Sequence, residues 1–351
     1  MLAYLIRSIP SPMSPRPLFA ALTCAGLLAC TDSSDRPRSP DDEPSDTDSD
    51  SDSDTDSDTY SDTDATGFDC SAIPDIPGSP IPLAAPRGHN DVVFNADGAL
   101  VGWDGFNLLK ATDADTVEVY APNAETTFKL DMLPGGDLVA TLGRGEVARI
   151  EPNGAIYPIA TGIFPYGLAV GSDGLVYASS TNFAAAPAIW RIDPDTQALD
   201  LLLDWDIADW PRDIAFSADF SVLYVGTQTS GEIYKVPLDG NLNPTGDPQL
   251  LVTLPTFWHD SVEVDACGNV YVAGLFPPQL YRINADLSTT LLIEWTMDEY
   301  AHGFDWGDAA GGWNPESIYM ALPDQGNTVE EVDLGIPGRQ WDGAVIGGVT
   351  L

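Results

Sequence analysis

Short runs of apolar residues alternate with polar turns along most of the chain. His259 to Asp286 shows the pattern in full: a polar start, an apolar strand, an Asp/Gly turn, a second strand ending in Val-Tyr-Val, a loop, and a third strand reading Leu-Tyr-Arg-Ile. β-Branched and aromatic residues fill the apolar runs, and Gly, Asp, Asn and Pro separate them, as is typical of strands and turns. The pattern therefore predicts an all-β protein.

This three-strand unit recurs six times. The predicted inner strands begin 38, 38, 46, 48 and 42 residues apart, at Asp91, Lys129, Gly167, Asp213, Ser261 and Gly303. Repeats of this length with several short strands are typical of β-propellers. Six repeats predict a six-bladed ring of four-stranded blades. Ile81 to Ala84 precedes the first inner strand, and we expect it to form the outer strand of the sixth blade and so close the ring.

Two of the repeats resemble a known group of propellers. Gly167 to Ala178 reads GLAVGSDGLVYA, and Asp213 to Val225 reads DIAFSADFSVLYV. These motifs are similar to the blades of the gluconolactonase (senescence-marker-protein) and NHL-repeat group, over about residues 80 to 342. The resemblance implies the six-bladed fold and leaves the activity open, because propellers serve hydrolases, lyases and pure binding proteins alike.

The first 29 residues are typical of an export signal. Arg7 and Arg16 precede the apolar run Leu18–Ala29, which is too short for a permanent membrane helix. The run ends in Leu-Leu-Ala-Cys30, which resembles a bacterial lipobox and implies cleavage before Cys30 and lipidation of its thiol. A plain secretory signal is the alternative. Thr31 stands where an Asp would favour retention at the inner membrane, so we expect an outer-membrane anchor.

Residues 30–69 form an acidic stretch of Asp, Ser and Thr that cannot build a core, and we interpret it as a disordered tether. Of the net charge of −40, residues 1–30 carry +2 and residues 31–69 carry −13, which leaves −29 on residues 70–351. This charge argues against nucleic acid and anionic lipid as partners. We expect a monomeric propeller at 70–351 that meets the membrane only through its lipid, with a small molecule, protein or peptide as its ligand.

Four cysteines are present, and two remain for the propeller. Cys24 leaves with the signal and Cys30 carries the lipid, so Cys70 and Cys267 form an even pair in an exported protein. A ring closed by the N-terminal strand brings Cys70 to the face where Cys267 lies, in the first turn of the fifth blade. We therefore predict a disulfide between them, with two separate buried thiols as the alternative.

The three histidines point to a candidate site. His89, His259 and His302 each precede an inner strand, in blades one, five and six. These blades are consecutive in a closed ring, so the side chains can approach one mouth of the channel. The predicted metal site combines these three histidines with three nearby carboxylates: Asp91, Asp213 and Asp260. A histidine that only ties neighbouring blades by hydrogen bonds is the alternative.

Charged residues also recur at the first and third positions of the inner strands, which share one face. We expect this face to line the channel, where carboxylates need protons, basic side chains or a cation to compensate them. Oxygen ligands favour Ca²⁺ or Mg²⁺ over Zn²⁺. The predicted ligand-binding residues are Asn90, Lys129, Asp131, Tyr166, Arg212, Trp258, Glu263 and Asp305.

The resemblance to gluconolactonases implies a divalent ion held at the channel mouth by Glu, Asn and Asp. Asp213 and Asp260 match such positions, and Asn90 offers an amide. The Asn-Gly pair of the group is absent, since Tyr166-Gly167 and Arg212-Asp213 stand there instead. A zinc site of three histidines, similar in ligand type to that of propeller amidating lyases, is a competing interpretation.

Two functions follow from these patterns. The first is a tethered propeller that binds a ligand at its acidic channel mouth, where Tyr166 and Trp258 can contact a sugar or another ring. The second is a metal-dependent hydrolase of the lactonase or esterase kind, or a lyase, that acts on a small extracellular substrate.

We predict that Cys30→Ala releases the protein from the membrane fraction, because the thiol that carries the lipid is lost. Cell fractionation followed by immunoblotting measures the distribution. A variant that stays with the membranes through an uncleaved apolar segment would show that the lipoprotein interpretation is wrong.

Overall fold

The computed structural model describes residues 68–181, 186–297, 299–300, 302–323 and 326–339. The export segment, Cys30 and nearly all of the acidic tether lie outside the described residues, so those assignments stay predictions. Within the described ranges there are two single-turn 3-10 helices, Cys70–Ala72 and Ala309–Gly311, and no helix is long and apolar enough to cross a membrane.

Six antiparallel sheets of four strands make up the fold. Blade one contains β2 (Val92–Phe94), β3 (Leu100–Trp103), β4 (Leu108–Ala111) and β5 (Val117–Ala121). Blade two contains β6 (Thr127–Met132), β7 (Leu138–Leu142), β8 (Glu146–Ile150) and β9 (Ile156–Thr161). Blade three contains β10 (Pro165–Val170), β11 (Val176–Ser180), β12 (Ala188–Ile192) and β13 (Leu199–Asp204). Blade four contains β14 (Pro211–Phe216), β15 (Val222–Thr227), β16 (Glu232–Pro237) and β17 (Gln249–Thr253). Blade five contains β18 (Phe257–Val264), β19 (Val270–Phe276), β20 (Pro278–Ile283) and β21 (Thr289–Glu294). Blade six contains β22 (Phe304–Trp306), β23 (Ser317–Leu322), β24 (Thr328–Asp333) and the N-terminal strand β1 (Ile81–Arg87). The predicted all-β, six-bladed propeller is confirmed.

The N-terminal strand closes the ring. β1 pairs antiparallel with β24, with Ile81 opposite Glu331 and Arg87 opposite Thr328. It is therefore the outer strand of the sixth blade, as the sequence predicted. Because the N-terminal strand and the last three strands share one sheet, opening the ring requires breaking a strand pair.

Six apolar clusters lie at the six junctions between neighbouring blades. Counted from the repeat starts, such as Asp91, the second and fourth residues of the inner strands supply the centre of each cluster, as Val92 and Phe94 do between blades six and one. Each fully buried side chain of this kind contributes about 1.5–3 kcal/mol relative to leaving it exposed. The alternate residues of the same strands face the other neighbouring blade, as Val93 and Ala169 do, or border the central cavity, as Asp131 does.

A disulfide joins Cys70 to Cys267 across a separation of 197 residues, with the Cα atoms 5.6 Å apart. The predicted pair is confirmed. Arg282 holds the same N-terminal segment by donating to the Pro74 carbonyl oxygen and to the Asp75 carboxylate, both at 2.7 Å. The segment that precedes β1 is thus attached to the fifth blade while β1 itself belongs to the sixth.

We predict that Cys267→Ser lowers the free energy of unfolding by about 2–5 kcal/mol, because the bond closes a long loop in the unfolded chain. Denaturant unfolding with and without reductant measures the effect, and under reductant the variant and the natural chain should agree closely. Mass spectrometry of unreduced protein should find the two cysteine peptides joined. Two alkylatable thiols in that sample would contradict the bond.

Candidate functional site

The inner strands enclose a polar cavity of about 120 Å³ at the centre of the ring. Its charged lining residues are Asp91, Lys129, Asp131, Glu263, Asp305 and Arg339. The first five were predicted at channel positions from the two-residue period of the strands. Arg339 was not, because it follows the last strand and carries no repeat signal.

Lys129 is the central cation of this cavity. Its Nζ lies 3.3 Å from Asp91 Oδ1 and 3.1 Å from Asp213 Oδ2, and it donates to the Asp260 carbonyl oxygen at 3.1 Å. Burial opposes the charge on Lys129, but attraction to Asp213 and Asp91 exceeds this effect and raises the pKa of the ammonium group. One side chain from blade two therefore joins blades one, four and five.

The channel carboxylates also connect neighbouring blades through the backbone. Asp91 Oδ2 accepts from the Leu130 N–H at 2.8 Å, and Asp213 Oδ2 accepts from the Val262 N–H at 2.9 Å. Two further carboxylates make the same contact with the next blade. They are Asp131 with the Val170 N–H at 2.6 Å and Asp305 with the Phe94 N–H at 3.0 Å. Four of the six junctions thus carry one such hydrogen bond.

Burial dominates the ionisation of these groups. It raises the pKa of Asp91 to about 7 despite Lys129, and that of Asp305 to about 7 despite the two backbone N–H donors. It also raises the pKa of Asp131, Asp213 and Glu263. Part of the negative charge of these channel carboxyl groups is therefore neutralised by bound protons.

Arg339 places a positive charge beside the carboxyl groups of Glu263, Asp131 and Asp305 in the cavity. Its backbone N–H donates to Val264 at 2.9 Å and its Nη1 donates to the Phe216 carbonyl oxygen at 3.0 Å. Burial lowers the pKa of this guanidinium group, although Glu263, Asp131 and Asp305 oppose the shift.

A second charged group lies nearer the channel mouth, around Asp260. Arg212 Nε donates to Asp260 Oδ1 at 2.6 Å, and Arg212 Nη2 contacts the same oxygen. His302 Nδ1 lies 2.6 Å from Asp260 Oδ2. Burial opposes the charge on Asp260, but Arg212 and His302 together lower the pKa of this carboxyl group.

The structure separates the three histidines. His259 is fully buried; its Nδ1 accepts from the Thr227 N–H at 3.2 Å, and its Nε2 lies 3.2 Å from the Thr256 carbonyl oxygen. Burial lowers the pKa of His259 to about 4, so the ring is neutral and connects blades four and five. His89 and His302 instead lie together at the mouth, with ring centroids 6.4 Å apart.

The donor set does not fit a divalent ion in this arrangement. Lys129 lies between Asp91 and Asp213, and both Asp260 oxygens contact cationic or imidazole nitrogens. The Asn90 amide donates to the Thr127 carbonyl oxygen at 2.7 Å. Across the described part of the chain, no three His, Cys, Asp or Glu side chains form a group that could hold a metal ion.

A larger pocket, of about 310 Å³, opens at the mouth beside Arg212. We call it the mouth pocket, and its lining residues are Phe128, Leu142, Gly143, Gly145, Phe164, Pro165, Tyr166, Thr181, Arg212 and Gln228. The Arg212 guanidinium carbon lies 4.0 Å from the centroid of the Tyr166 ring and 5.1 Å from that of Trp258. The two aromatic rings therefore fix the guanidinium group at the edge of the pocket.

Tyr166, Arg212 and Trp258 were predicted at this mouth from the sequence, whereas the other lining residues of the pocket were not. Thr181 and Gln228 directly follow β11 and β15. The ends of second strands lie on the same face as the starts of inner strands, so this position was a signal that could have found them.

No protein-family model matches the chain, and no curated protein matches it. Solved structures do. A gluconolactonase from Xanthomonas campestris matches with a TM-score of 0.58 and 20% identity over 75% of this chain and 97% of its own. A calcium-binding regucalcin from Agrobacterium tumefaciens gives 0.59 and 14% over 76% and 96%. A virginiamycin B lyase from Staphylococcus aureus gives 0.51 and 15% over 69% and 79%. The predicted resemblance to gluconolactonase-type propellers is confirmed at the level of the fold.

The raised carboxyl pKa values predict a stability that falls as pH rises. Between about pH 4 and 7 the folded chain keeps protons on Asp91 and Asp305 that the unfolded chain has lost. Their contribution is therefore greatest at the acidic end, declines through this window, and is constant above about 7. We expect Asp305→Asn to reduce the loss of stability between pH 5 and 7.5 by roughly 1–4 kcal/mol.

Denaturant unfolding at the two pH values measures this difference. Asp113→Asn is the control, since Asp113 lies in an exposed turn and backbone hydrogen bonds lower its pKa. The control should lose as much unfolding free energy between the two pH values as the natural chain does. The same loss in Asp305→Asn would show that Asp305 does not carry the proton.

Proposed function

We propose that the protein is a non-catalytic propeller, held at the outer membrane by a lipid on Cys30, that binds a small ring-containing molecule in the mouth pocket. The acidic segment acts as a spacer between the anchor and the propeller. The observation that carries the proposal is the mouth pocket itself, which joins aromatic walls to a buried guanidinium group. Pockets of this kind, mostly apolar with a few placed polar groups, are typical small-molecule sites.

Three features support ligand binding at this place. Phe128 and Phe164 supply ring surfaces, and Arg212 and Gln228 supply hydrogen-bond donors. Trp258 lies beside Arg212, is 37% exposed, and has a φ of +58°. A bulky residue in this left-handed conformation is strained, and such strain concentrates at functional sites.

The divalent cation that the sequence predicted is not part of this proposal. Lys129 already provides a positive charge between Asp91 and Asp213, and protons and Arg339 compensate the remaining carboxylates. A cation would have to displace Lys129 or share Asp260 with Arg212. Binding in the mouth pocket requires neither change.

A hydrolase or lyase is the second candidate, and the contact between His302 and Asp260 favours it. An ionised Asp260 beside Nδ1 favours the tautomer that leaves Nε2 free to accept a proton. The His302 side chain is 14% exposed, and its partner Asp260 also holds Arg212, which lines the mouth pocket. The gluconolactonase and the lyase that share this fold show that such a ring can carry catalysis, although fold alone does not assign it.

We expect the purified full-length protein to bind members of a panel of sugars and other small ring compounds, as measured by saturation-transfer NMR and calorimetry. Phe164→Ala should weaken binding about tenfold, because one wall of the mouth pocket is lost. Phe106→Ala is the matched control, since this ring is 77% exposed outside the pocket. Absence of binding, or equal effects of both substitutions, would contradict the proposal.

The catalytic alternative is distinguished in the same samples. Turnover of any ester, lactone or elimination substrate that is lost in His302→Asn would establish an enzyme. If turnover or thermal stability falls with a chelator and recovers with Ca²⁺ or Mg²⁺, the result would support the divalent cation predicted from the sequence. Binding without turnover and without chelator sensitivity supports the binding protein.

A further inference from the structure

Arg212 keeps one donor group for a ligand. Its Nε and Nη2 contact Asp260, whereas no described residue accepts a hydrogen bond from its Nη1. The residue is 8% exposed and lines the mouth pocket. A donor that lines a pocket and has no protein partner is available to an acceptor atom of a ligand.

Gln228 offers a second donor. It is 7% exposed, and the Thr181 hydroxyl group donates to its Oε1 at 2.9 Å. This contact fixes the orientation of the amide group. Among the described residues, none accepts a hydrogen bond from its Nε2. Two nearly buried side chains from one blade, held by Asp260 and Thr181, thus present N–H donors to the same pocket.

The charges around the mouth pocket disfavour an anion. Asp260 neutralises Arg212, and the whole chain carries −40. An uncharged acceptor oxygen meets no such repulsion. The surrounding side chains of Phe128, Leu142 and Phe164 are apolar, which suits a group that combines an acceptor oxygen with a small apolar substituent.

We propose that the mouth pocket recognises an uncharged ligand through an amide carbonyl oxygen, as carried by the acetamido group of an N-acetylated sugar. The carbonyl oxygen accepts from Arg212 Nη1 and Gln228 Nε2, while the methyl group packs against the phenylalanine rings. This inference rests on the proposed function, and it names the chemical class that the site selects. A volume of about 310 Å³ limits the bound part to one or two sugar rings.

Calorimetric titration of the full-length protein with matched probes tests the inference. The probes are the disaccharide of N-acetylglucosamine, the corresponding glucose disaccharide, and glucuronate as an anion. We expect the acetylated probe to bind at least tenfold more tightly than either of the others. Gln228→Glu keeps the shape of the side chain and the contact with Thr181 but replaces the free donor by an acceptor, and it should remove at least tenfold of that preference.

Gln249→Glu is the matched control, because it adds the same charge at an exposed position on β17 and should leave binding unchanged. Thr181→Val provides a second variant, which frees the Gln228 amide and should reduce the preference without adding charge. Thermal melts confirm that each variant is folded. Equal binding of all probes, a preference for glucuronate, or an unaffected Gln228→Glu overturns the inference while the proposed function stands. If no ring compound of the larger panel binds, both the inference and the proposed function are wrong.

Discussion

The Lys129 ammonium group at the centre of the ring is the interaction on which the arrangement of the channel depends. It contacts the carboxylates of Asp91 and Asp213 and the backbone of Asp260, all of them buried. Buried charges are tolerated only when they are paired and hydrogen-bonded, and removal of one partner typically costs about 3–5 kcal/mol. Since these four residues belong to blades two, one, four and five, the pairing also fixes the positions of the inner strands relative to one another.

The carboxylates of the inner strands have a structural role that explains their number. Asp91, Asp131, Asp213 and Asp305 each accept a backbone N–H from the next blade around the ring. These N–H groups lie on inner edge strands, where no strand of the same sheet can satisfy them. Acidic side chains at the first and third positions therefore complete the hydrogen bonding of the sheet edges, and the resulting charge is compensated within the protein. The ligand binding that we propose lies instead at the mouth, where Arg212 and the aromatic rings lie.

The fold could be predicted almost completely because its signals are local. The two-residue period of strands such as β10 and the turns between them recur in each repeat. The even number of cysteines in the propeller, Cys70 and Cys267, favoured the disulfide that the structure contains. The site could be predicted only in part. Whether His259 faces the channel or the backbone of blade four depends on the register between blades, which no local pattern records. Arg339 lies beyond the last repeat, and no pattern of residues marks it as a channel residue.

Asp260 connects the two functions considered for the mouth. The same carboxylate holds Arg212 through one oxygen and contacts His302 through the other. One carboxylate therefore orients both Arg212, which lines the mouth pocket, and the imidazole of His302. Binding requires only the first of these contacts, whereas proton transfer requires the second and a substrate with an acidic proton or a labile ester near Nε2. The mouth can therefore select a ligand without acting on it, and the step from binding to catalysis depends on the ligand's chemistry as much as on the side chains that surround it.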